Sequence, residues 1–233
     1  MSRARPGYLP FFALVSAATA LAQNQGPTGS DFVPLFNGKD LTGWRVGAEI
    51  LDGKTESADK RFQVVDGVIV CNEGKGIKDL YTTREFSKDF HLKLEFRASP
   101  RSDSGVYIRG PQLQVRDYPT VGPYKPKSFR AGDWNELEVM VRSNVPVATV
   151  NGKSLSDRDV LELIVRDGSP NATLNGKPVA VANIQVSVGP AALCKCNGEV
   201  LESAFKIPAK GGIGLQAETG KFEYRNIRIK EVQ

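Results

Sequence analysis

The protein has 233 residues, of which 40% are hydrophobic and 24% are charged, and its formal net charge is +5 at pH 7. These values are typical of one or two globular domains, and they exclude a collagen, a coiled coil and an acidic disordered chain. With a single histidine, the chain has no cluster of imidazoles for metal binding or proton transfer.

Residues 1–22 have the pattern of a secretory signal peptide. Arg3 and Arg5 form a basic start, residues 8–21 form an apolar run, and small residues at 20 and 22 mark a cleavage point. The run is interrupted and too short for the roughly 20 apolar residues of a membrane-spanning helix. We therefore expect an exported protein, periplasmic or extracellular, with an uncleaved N-terminal anchor as the alternative.

The rest of the chain is expected to form a polar linker, residues 23–30, and a single folded domain, residues 31–233. Loss of the two arginines of the signal peptide lowers the net charge to +3. The remaining Lys and Arg residues form no run, so the sequence gives no indication of nucleic-acid binding. We also expect no membrane contact once the signal peptide is removed.

Short segments rich in Val, Ile, Phe and Tyr alternate with turn residues along the domain, which is typical of an all-β sandwich or barrel. Asp66-Gly67 separates two such segments, and this pair favours the positive φ angles of a tight hairpin turn. The Asn-Gly pairs at 151, 175 and 197 have the same chemistry. The apolar positions change parity between Tyr224 and Ile227, which predicts either a β-bulge near Arg225-Asn226 or two short strands.

Alternation along the strands separates a core-facing set of side chains from an outward-facing set, because successive residues of a strand point to opposite faces. In residues 90–97 apolar and polar residues alternate, and the pattern recurs in four later segments. If these strands share one sheet, its outer face carries His91, Lys93, Glu95, Arg97, Tyr107, Arg109, Gln112, Gln114, Arg116, Glu136, Glu138, Gln216 and Glu218.

Such a face suits a saccharide, because Gln, Arg, Glu and Tyr offer planar or paired hydrogen-bonding groups for vicinal hydroxyls. A plain solvated surface is the alternative for any single position.

Cysteine usage gives little indication of a metal site. Cys71, Cys194 and Cys196 are an odd number, so at most one internal disulfide is possible in an oxidising compartment. The spacing of Cys194 and Cys196 is too short for a zinc knuckle. We expect buried cysteines on strands, with a bridge from Cys71 to one of the pair as the alternative. No cofactor is predicted, although a divalent cation stays open.

Both ends and the middle of the domain carry specific motifs. The opening motif is residues 32–44 (FVPLFNGKDLTGW), the middle motifs are 103–109 (DSGVYIR) and Trp134-Asn135, and the closing motif joins 212–216 (GIGLQ) to 222–231 (FEYRNIRIKE). Together they resemble the 3-keto-disaccharide hydrolase family over nearly the whole mature chain, except for a less typical stretch at 145–205. The resemblance implies a concanavalin-like jelly-roll β-sandwich, which agrees with the all-β pattern.

The resemblance also implies a reaction, the cleavage of 3-keto-glycosides that a separate dehydrogenase has oxidised at C3. A ketone at C3 acidifies the hydrogen on C2, so a carboxylate can remove it and the C1 leaving group can depart by elimination before water adds. This route needs a general base, donors or a metal for the enolate oxygen, and an acid.

For the catalytic roles we select outward-facing or strand-end residues. Glu95 or Asp117 is the candidate base, and Arg109 and Arg97 are the candidate electrophilic partners. An ion pair between Glu95 and an arginine on the next strand would be purely structural, and His91 is a further acid or base candidate. The candidate substrate-binding residues are Tyr107, Gln112, Gln114, Gln216 and Glu218.

One position departs from the family pattern. Residues 112–117 (QLQVRD) have Gln112 where the family has Glu in a Glu-x-Gln-x-x-Asp run. Gln cannot act as a general base, so two functions stay open. The first is an exported enzyme that cleaves 3-keto-glycosides, and the second is a non-catalytic, lectin-like carbohydrate-binding module on the same sandwich.

Overall fold

The computed structural model describes residues 32–155, 159–166 and 168–232, so the expected signal peptide and linker lie outside the described residues. The chain divides into a main unit, Gln25–Val145 with Gly189–Gln233, and a second unit, Pro146–Val188. Within the described residues, no helix has the length and apolar character needed to cross a membrane.

Nearly all regular structure in the described residues is extended, with one short helix, α1 Tyr118–Val121, and a 3₁₀ turn at Val181–Asn183. The strands are β1 Val33–Pro34, β2 Trp44–Val46, β3 Glu49–Ile50, β4 Phe62–Val65, β5 Val68–Cys71, β6 Lys78–Thr82, β7 Phe90–Ala98, β8 Asp103–Ile108, β9 Gln112–Arg116, β10 Asn135–Val150, β11 Lys153–Ser154, β12 Leu161–Arg166, β13 Ser169–Leu174, β14 Lys177–Val179, β15 Ile184–Cys196, β16 Glu199–Lys206, β17 Ile213–Ala217 and β18 Phe222–Glu231.

The main unit contains two antiparallel sheets. The larger sheet has the order β16-β15-β10-β7-β18-β5-β4, with β1 paired to β18, and the smaller sheet has the order β3-β2-β6-β17-β8-β9. The chain crosses between the two sheets repeatedly, as in a jelly roll: β2 with β3, β6, β8 with β9, and β17 belong to the smaller sheet, and the strands that precede and follow each of these segments belong to the larger one. The predicted all-β, concanavalin-like jelly-roll sandwich is confirmed.

The second unit contains the far end of β10, which pairs with β11, and a separate antiparallel sheet of order β12-β13-β14. Tight Asn-Gly turns close two of its hairpins, at Asn151-Gly152 and at Asn175-Gly176. Both residues of each pair have positive φ, between 51° and 75°.

One hydrophobic core lies between the two sheets of the main unit. Burial of one large apolar side chain contributes about 1.5–3 kcal/mol. The apolar side of each strand therefore points inward. The inward set from β7, β8, β9 and β17, each residue at most 1% exposed, is Phe90, Leu92, Leu94, Phe96, Val106, Ile108, Leu113, Val115, Ile213 and Leu215.

The cysteines belong to this core. Cys71, Cys194 and Cys196 are buried and free, and burial raises the pKa of each thiol. The expectation of buried cysteines on strands is confirmed, and the alternative of a bridge from Cys71 is not seen.

The turn and bulge predictions are confirmed. Asp66 and Gly67 have φ values of 50° and 77° and connect β4 to β5 as a two-residue hairpin. The register of β18 against β7 shifts between Arg225 and Arg228, and Asn226 in the bulge has a φ of 53°. This bulge lets both apolar parities of β18 face the core.

The condition that the alternating strands share one sheet is not met. Strands β7 and β10 lie in the larger sheet, whereas β8, β9 and β17 lie in the smaller one. Because the core lies between the sheets, outward-facing residues of β7 and β8 are on opposite sides of the molecule. Alternation fixes only which side of a strand faces inward, and the long-range pairing of strands decides its sheet.

Candidate functional site

The outer face of the smaller sheet carries a regular array of polar side chains, which we call the glutamine face. It is defined by the strand residues Asp79, Tyr81, Asp103, Tyr107, Gln112, Gln114, Arg116 and Gln216, together with Glu218, which directly follows β17. Their positions follow from strand parity, since Leu80, Val106 and Leu215 are fully buried on the opposite side. All five predicted substrate-binding residues are therefore brought together.

The strand register arranges this face in rows across the sheet. In one row Tyr81 is opposite Gly214, which is opposite Tyr107, which is opposite Gln112. In the next row Asp79 is opposite Gln216 and Gly105 is opposite Gln114. In the third row Asp103 is opposite Arg116, to which it is ion-paired.

A chain of side-chain hydrogen bonds crosses four strands of the glutamine face. The Tyr107 hydroxyl donates to the Asp79 carboxylate. Gln216 Nε2 donates to the Tyr107 hydroxyl at 2.8 Å, and Gln112 Nε2 donates to Gln216 Oε1 at 2.5 Å. Gln114 Nε2 then donates to Gln112 Oε1 at 3.2 Å. The chain holds three amides and a phenol in fixed orientations.

Two glycines create the room for this chain. A Cβ atom on Gly105 would lie 2.1 Å from Gln112 Nε2 and 2.4 Å from its Cγ, so the Gln112 side chain occupies the space above Gly105. A Cβ atom on Gly214 would lie 2.6 Å from the Tyr81 ring and 3.0 Å from the Tyr107 ring. The two tyrosine rings approach over Gly214, with centroids 5.2 Å apart.

The carboxylates of the glutamine face differ in their partners. Asp79 has one oxygen buried without a hydrogen-bond partner, and burial raises the pKa of Asp79. Glu218 makes no hydrogen bond or ion pair to any part of the chain that the structure describes. Burial, together with the negative charges of Asp103 and Asp79, raises the pKa of Glu218, against the opposing effect of Arg116. A raised pKa on an unpaired carboxyl is typical of a group that exchanges protons.

The tyrosines are held in their protonated form. Burial and the negative charge of Asp79 raise the pKa of Tyr107 to about 12, and the same causes raise the pKa of Tyr81. The guanidinium of Arg45 lies 5.8 Å from the centroid of the Tyr81 ring, at the edge of the row. The face therefore presents phenol and amide donors beside unpaired carboxylate oxygens, a combination suited to sugar hydroxyls.

Two predicted catalytic residues lie on the other side of the molecule, on the outer face of the larger sheet. Glu95 accepts from Arg225 at 2.7 Å and from Asn226 at 2.9 Å. Arg97 donates to Glu223 at 2.5 Å. Despite some burial, these partners lower the pKa of Glu95, which disfavours a role as base. Glu95 therefore forms the structural ion pair that the sequence left as the alternative. It lies away from the glutamine face because the chain crosses to the other sheet between β7 and β8.

The other two predicted catalytic residues are also separated from the glutamine face. Arg109 follows the end of β8 with a φ of 56°, its guanidinium lies 5.2 Å from the Phe90 ring centroid, and it donates to the Lys88 carbonyl. Asp117 follows β9, is 7% exposed, and accepts from the Arg101 amide at 2.8 Å. The positive φ of Arg109 and the inward parity of Asp117 direct both side chains away from the face.

The lone histidine also has a structural environment. His91 lies on β7 and its Nε2 is 2.7 Å from Glu138, on the neighbouring strand of the larger sheet. It does not belong to the glutamine face.

Sequence reasoning missed Asp79, Tyr81 and Asp103 as site residues. The signal for the first two was present, because Leu80 and Thr82 alternate with them in β6 and both are buried. Asp103 begins β8 on the parity of Tyr107, so extending the alternation by two residues would have found it. Within the described residues, no group of three or more His, Cys, Asp or Glu side chains is arranged to hold a metal ion.

Comparison with known proteins identifies a matching protein family. A family model described as a 3-keto-alpha-glucoside-1,2-lyase-like domain matches residues 31–230.

Solved structures show more distant similarities. A Parabacteroides distasonis protein, whose description as a glycosyl hydrolase is provisional, is 19% identical with a TM-score of 0.47, over 87% of this chain and 94% of that one. A Bacillus licheniformis β-glucanase is 12% identical with a TM-score of 0.37, over 89% and 100%. The carbohydrate-binding module CBM66 of Bacillus subtilis is 10% identical with a TM-score of 0.34, over 82% and 97%. Similarities at this level do not transfer an activity.

Proposed function

The chain belongs to the 3-keto-α-glucoside-1,2-lyase-like family of carbohydrate-active proteins, and on that premise we propose that it cleaves 3-keto-glycosides on the glutamine face. The membership confirms the resemblance carried by the terminal motifs. One observation carries the assignment of the site: Glu218, an unpaired carboxyl with a raised pKa, stands beside an ordered array of hydrogen-bonding side chains.

The chemistry needs one group that moves a proton. Glu218 removes the hydrogen from C2, and the electrons of that C–H bond form a C2=C3 enolate. When the ketone re-forms, those electrons become a C1=C2 double bond and the C1–O bond breaks. The leaving oxygen takes up a proton, which Glu218 can return, so the elimination has no net proton change. Water can later add across C1=C2 to complete a hydrolysis.

The neighbours of Glu218 fit this role. The negative charges of Asp79 and Asp103 keep its proton affinity high, because like charges disfavour ionisation. A base with a raised pKa is a stronger proton acceptor than an ordinary carboxylate. Arg116 is the cation whose charge acts on Glu218, and it is the candidate to stabilise the enolate oxygen.

The amide and phenol array supplies binding and orientation. The amide nitrogens of Gln216, Gln112 and Gln114 are each held by a hydrogen bond, to Tyr107, Gln216 and Gln112 respectively. Gln112 stands where the family pattern has Glu, and it serves here as a link in this array instead of as a base. Exact placement of a substrate lowers the barrier through orientation even where a single contact is weak.

The proposal also includes a location and a partner reaction. We propose export, periplasmic or extracellular, since residues 1–22 have a signal-peptide pattern. The substrate carries a C3 ketone, so a separate sugar dehydrogenase must supply it.

The test compares wild type with Glu218→Gln on 3-keto-maltose, with unoxidised maltose as the substrate control. Glu136→Gln is the matched control, because Glu136 lies on the outer face of the larger sheet. We expect release of glucose by wild type and by Glu136→Gln, and loss of at least 100-fold in rate for Glu218→Gln, in the range of a removed general base. Turnover by wild type should fall as pH drops through the raised pKa of Glu218.

Two results would overturn the proposal. Full activity of Glu218→Gln would remove Glu218 as the base. Saturable binding of 3-keto-maltose without any turnover would replace the enzyme by the lectin-like binding module.

A further inference from the structure

The hydrogen-bond chain of the glutamine face has a direction, and Asp79 sets it. A carboxylate only accepts hydrogen bonds. The Tyr107 hydroxyl therefore donates its only proton to Asp79 and accepts a hydrogen bond from Gln216 Nε2. Gln216 Oε1 then accepts from Gln112 Nε2, and Gln112 Oε1 accepts from Gln114 Nε2. Each amide orientation follows from the one before it.

The chain ends on an acceptor that has no donor. Gln114 Oε1 is buried and has no hydrogen-bond partner among the described residues. Turning this amide over would point Nε2 away from Gln112 and bring two carbonyl oxygens together, so the orientation is held. A buried acceptor without a donor costs free energy in the empty site, and a ligand hydroxyl would relieve that cost.

The position of Gln114 shows which part of a substrate it meets. Gln114 lies on β9, and β8 separates it from β17, the strand that positions Glu218. Two strand spacings amount to about 10 Å. A pyranose ring whose C2 is at Glu218 does not extend that far, so Gln114 faces the group attached at C1.

We infer that Gln114 is a specificity-determining residue, whose Oε1 accepts a hydrogen bond from a hydroxyl of the leaving group. The inference rests on the proposed function for the position of C2. Contact requires a small rotation of the amide, because Oε1 is covered in the empty site, and the terminal torsion of a Gln side chain is soft. Leaving groups without a hydroxyl at this position leave the acceptor unfilled and are disfavoured.

The test compares two substrates that share the 3-keto-glucosyl part. One is 3-keto-maltose, whose leaving group is a sugar, and the other is methyl 3-keto-α-glucoside. Gln114→Met keeps the length of the side chain and removes both the acceptor and the Nε2 donor to Gln112. We expect kcat/KM for 3-keto-maltose to fall about tenfold, the equivalent of one hydrogen bond, while kcat/KM for the methyl glycoside stays within about twofold.

A control and a second readout separate the outcomes. Gln63→Met makes the same change on β4 of the larger sheet, where Gln63 donates to Glu56, and should not alter the ratio. Equal losses on both substrates, or no loss on either, would overturn the inference. If wild type turns over neither substrate, the proposed function fails, and calorimetric binding still decides. Gln114→Met should then bind 3-keto-maltose more weakly than wild type does, and bind methyl 3-keto-α-glucoside as well as wild type does. Equal affinity of the variant and wild type for 3-keto-maltose would overturn the inference.

Discussion

Substitution of Gly105 by alanine tests whether the glutamine face is built as described. Gly105 lies in β8 on the outer side of the smaller sheet, away from the core. Its new Cβ would lie 2.1 Å, 2.4 Å and 2.6 Å from the Nε2, Cγ and Cδ atoms of Gln112. Because the clash reaches the Cγ atom, the whole side chain of Gln112 has to leave its place.

Departure of Gln112 breaks its bonds to Gln216 and Gln114, two hydrogen bonds worth about 1 kcal/mol each. Replacing a glycine that has an ordinary φ returns about 0.4–1 kcal/mol through the unfolded chain. The net loss is therefore about 1 kcal/mol, or about 2–4 °C in Tm for a chain of this size. Carbohydrate affinity should fall about fivefold or more, since a lost hydrogen bond of about 1 kcal/mol corresponds to about that factor.

Thermal unfolding by circular dichroism and calorimetric binding of 3-keto-maltose measure the two effects. Gly189→Ala is the matched control, because Gly189 lies in β15 with nothing within 4 Å of the new Cβ. It should leave affinity unchanged. Wild-type affinity in Gly105→Ala would refute the reasoning, since Gln112 would then not depend on the space above Gly105.

Two further predictions concern stability. Tyr224→Phe removes the hydroxyl that donates to Ser104 Oγ, which itself donates to the Gln216 carbonyl at 2.7 Å, so the urea midpoint should fall by the equivalent of about 1–2 kcal/mol. The hydrogen bond from His91, with help from Lys93, lowers the pKa of Glu138 from 4.5 to about 2. A depressed carboxyl pKa contributes stability above pH 4.5 that is lost as pH falls towards 2, so Glu138→Gln should flatten the acid side of the stability profile.

Each of these has a clear contrary outcome. An unchanged urea midpoint in Tyr224→Phe would mean that the Ser104 hydroxyl does not need this donor. For the acid profile, Glu136→Gln on the same strand and face is the control and should keep the wild-type slope. A wild-type slope in Glu138→Gln would show that other carboxyls dominate acid unfolding.

Local features of the fold were predictable. The Asp66-Gly67 turn, the bulge at Asn226 and the inward parity of β7 depend on a few adjacent residues, whose φ preferences and polarity are visible in the chain. The same parity placed Gln112, Gln114 and Gln216 correctly on the outside of their strands.

The catalytic candidates were not predictable in the same way. Glu95 lies in β7 and Glu218 continues the alternation of β17 one residue past its end, yet Glu95 is paired with Arg225 and Glu218 has no partner in the described part of the chain. Arg109 would point outward on an extended strand, but its positive φ turns it away. The alternation of apolar and polar residues along a strand reveals neither the ion-pair partner of Glu95 nor the positive φ of Arg109.

By itself, the sequence determined the fold class, the family and the side of each strand that faces the core. These follow from turn chemistry, motifs and a period of two, all of which act over a few residues. Only the tertiary structure decided that the glutamines share a sheet with Asp79 and Glu218 and not with Glu95. Sheet membership depends on strand pairs such as β17 with β6, whose partners are more than 130 residues apart in the chain. No local pattern encodes such a pairing, because its energy comes from the core that the assembled sheets enclose.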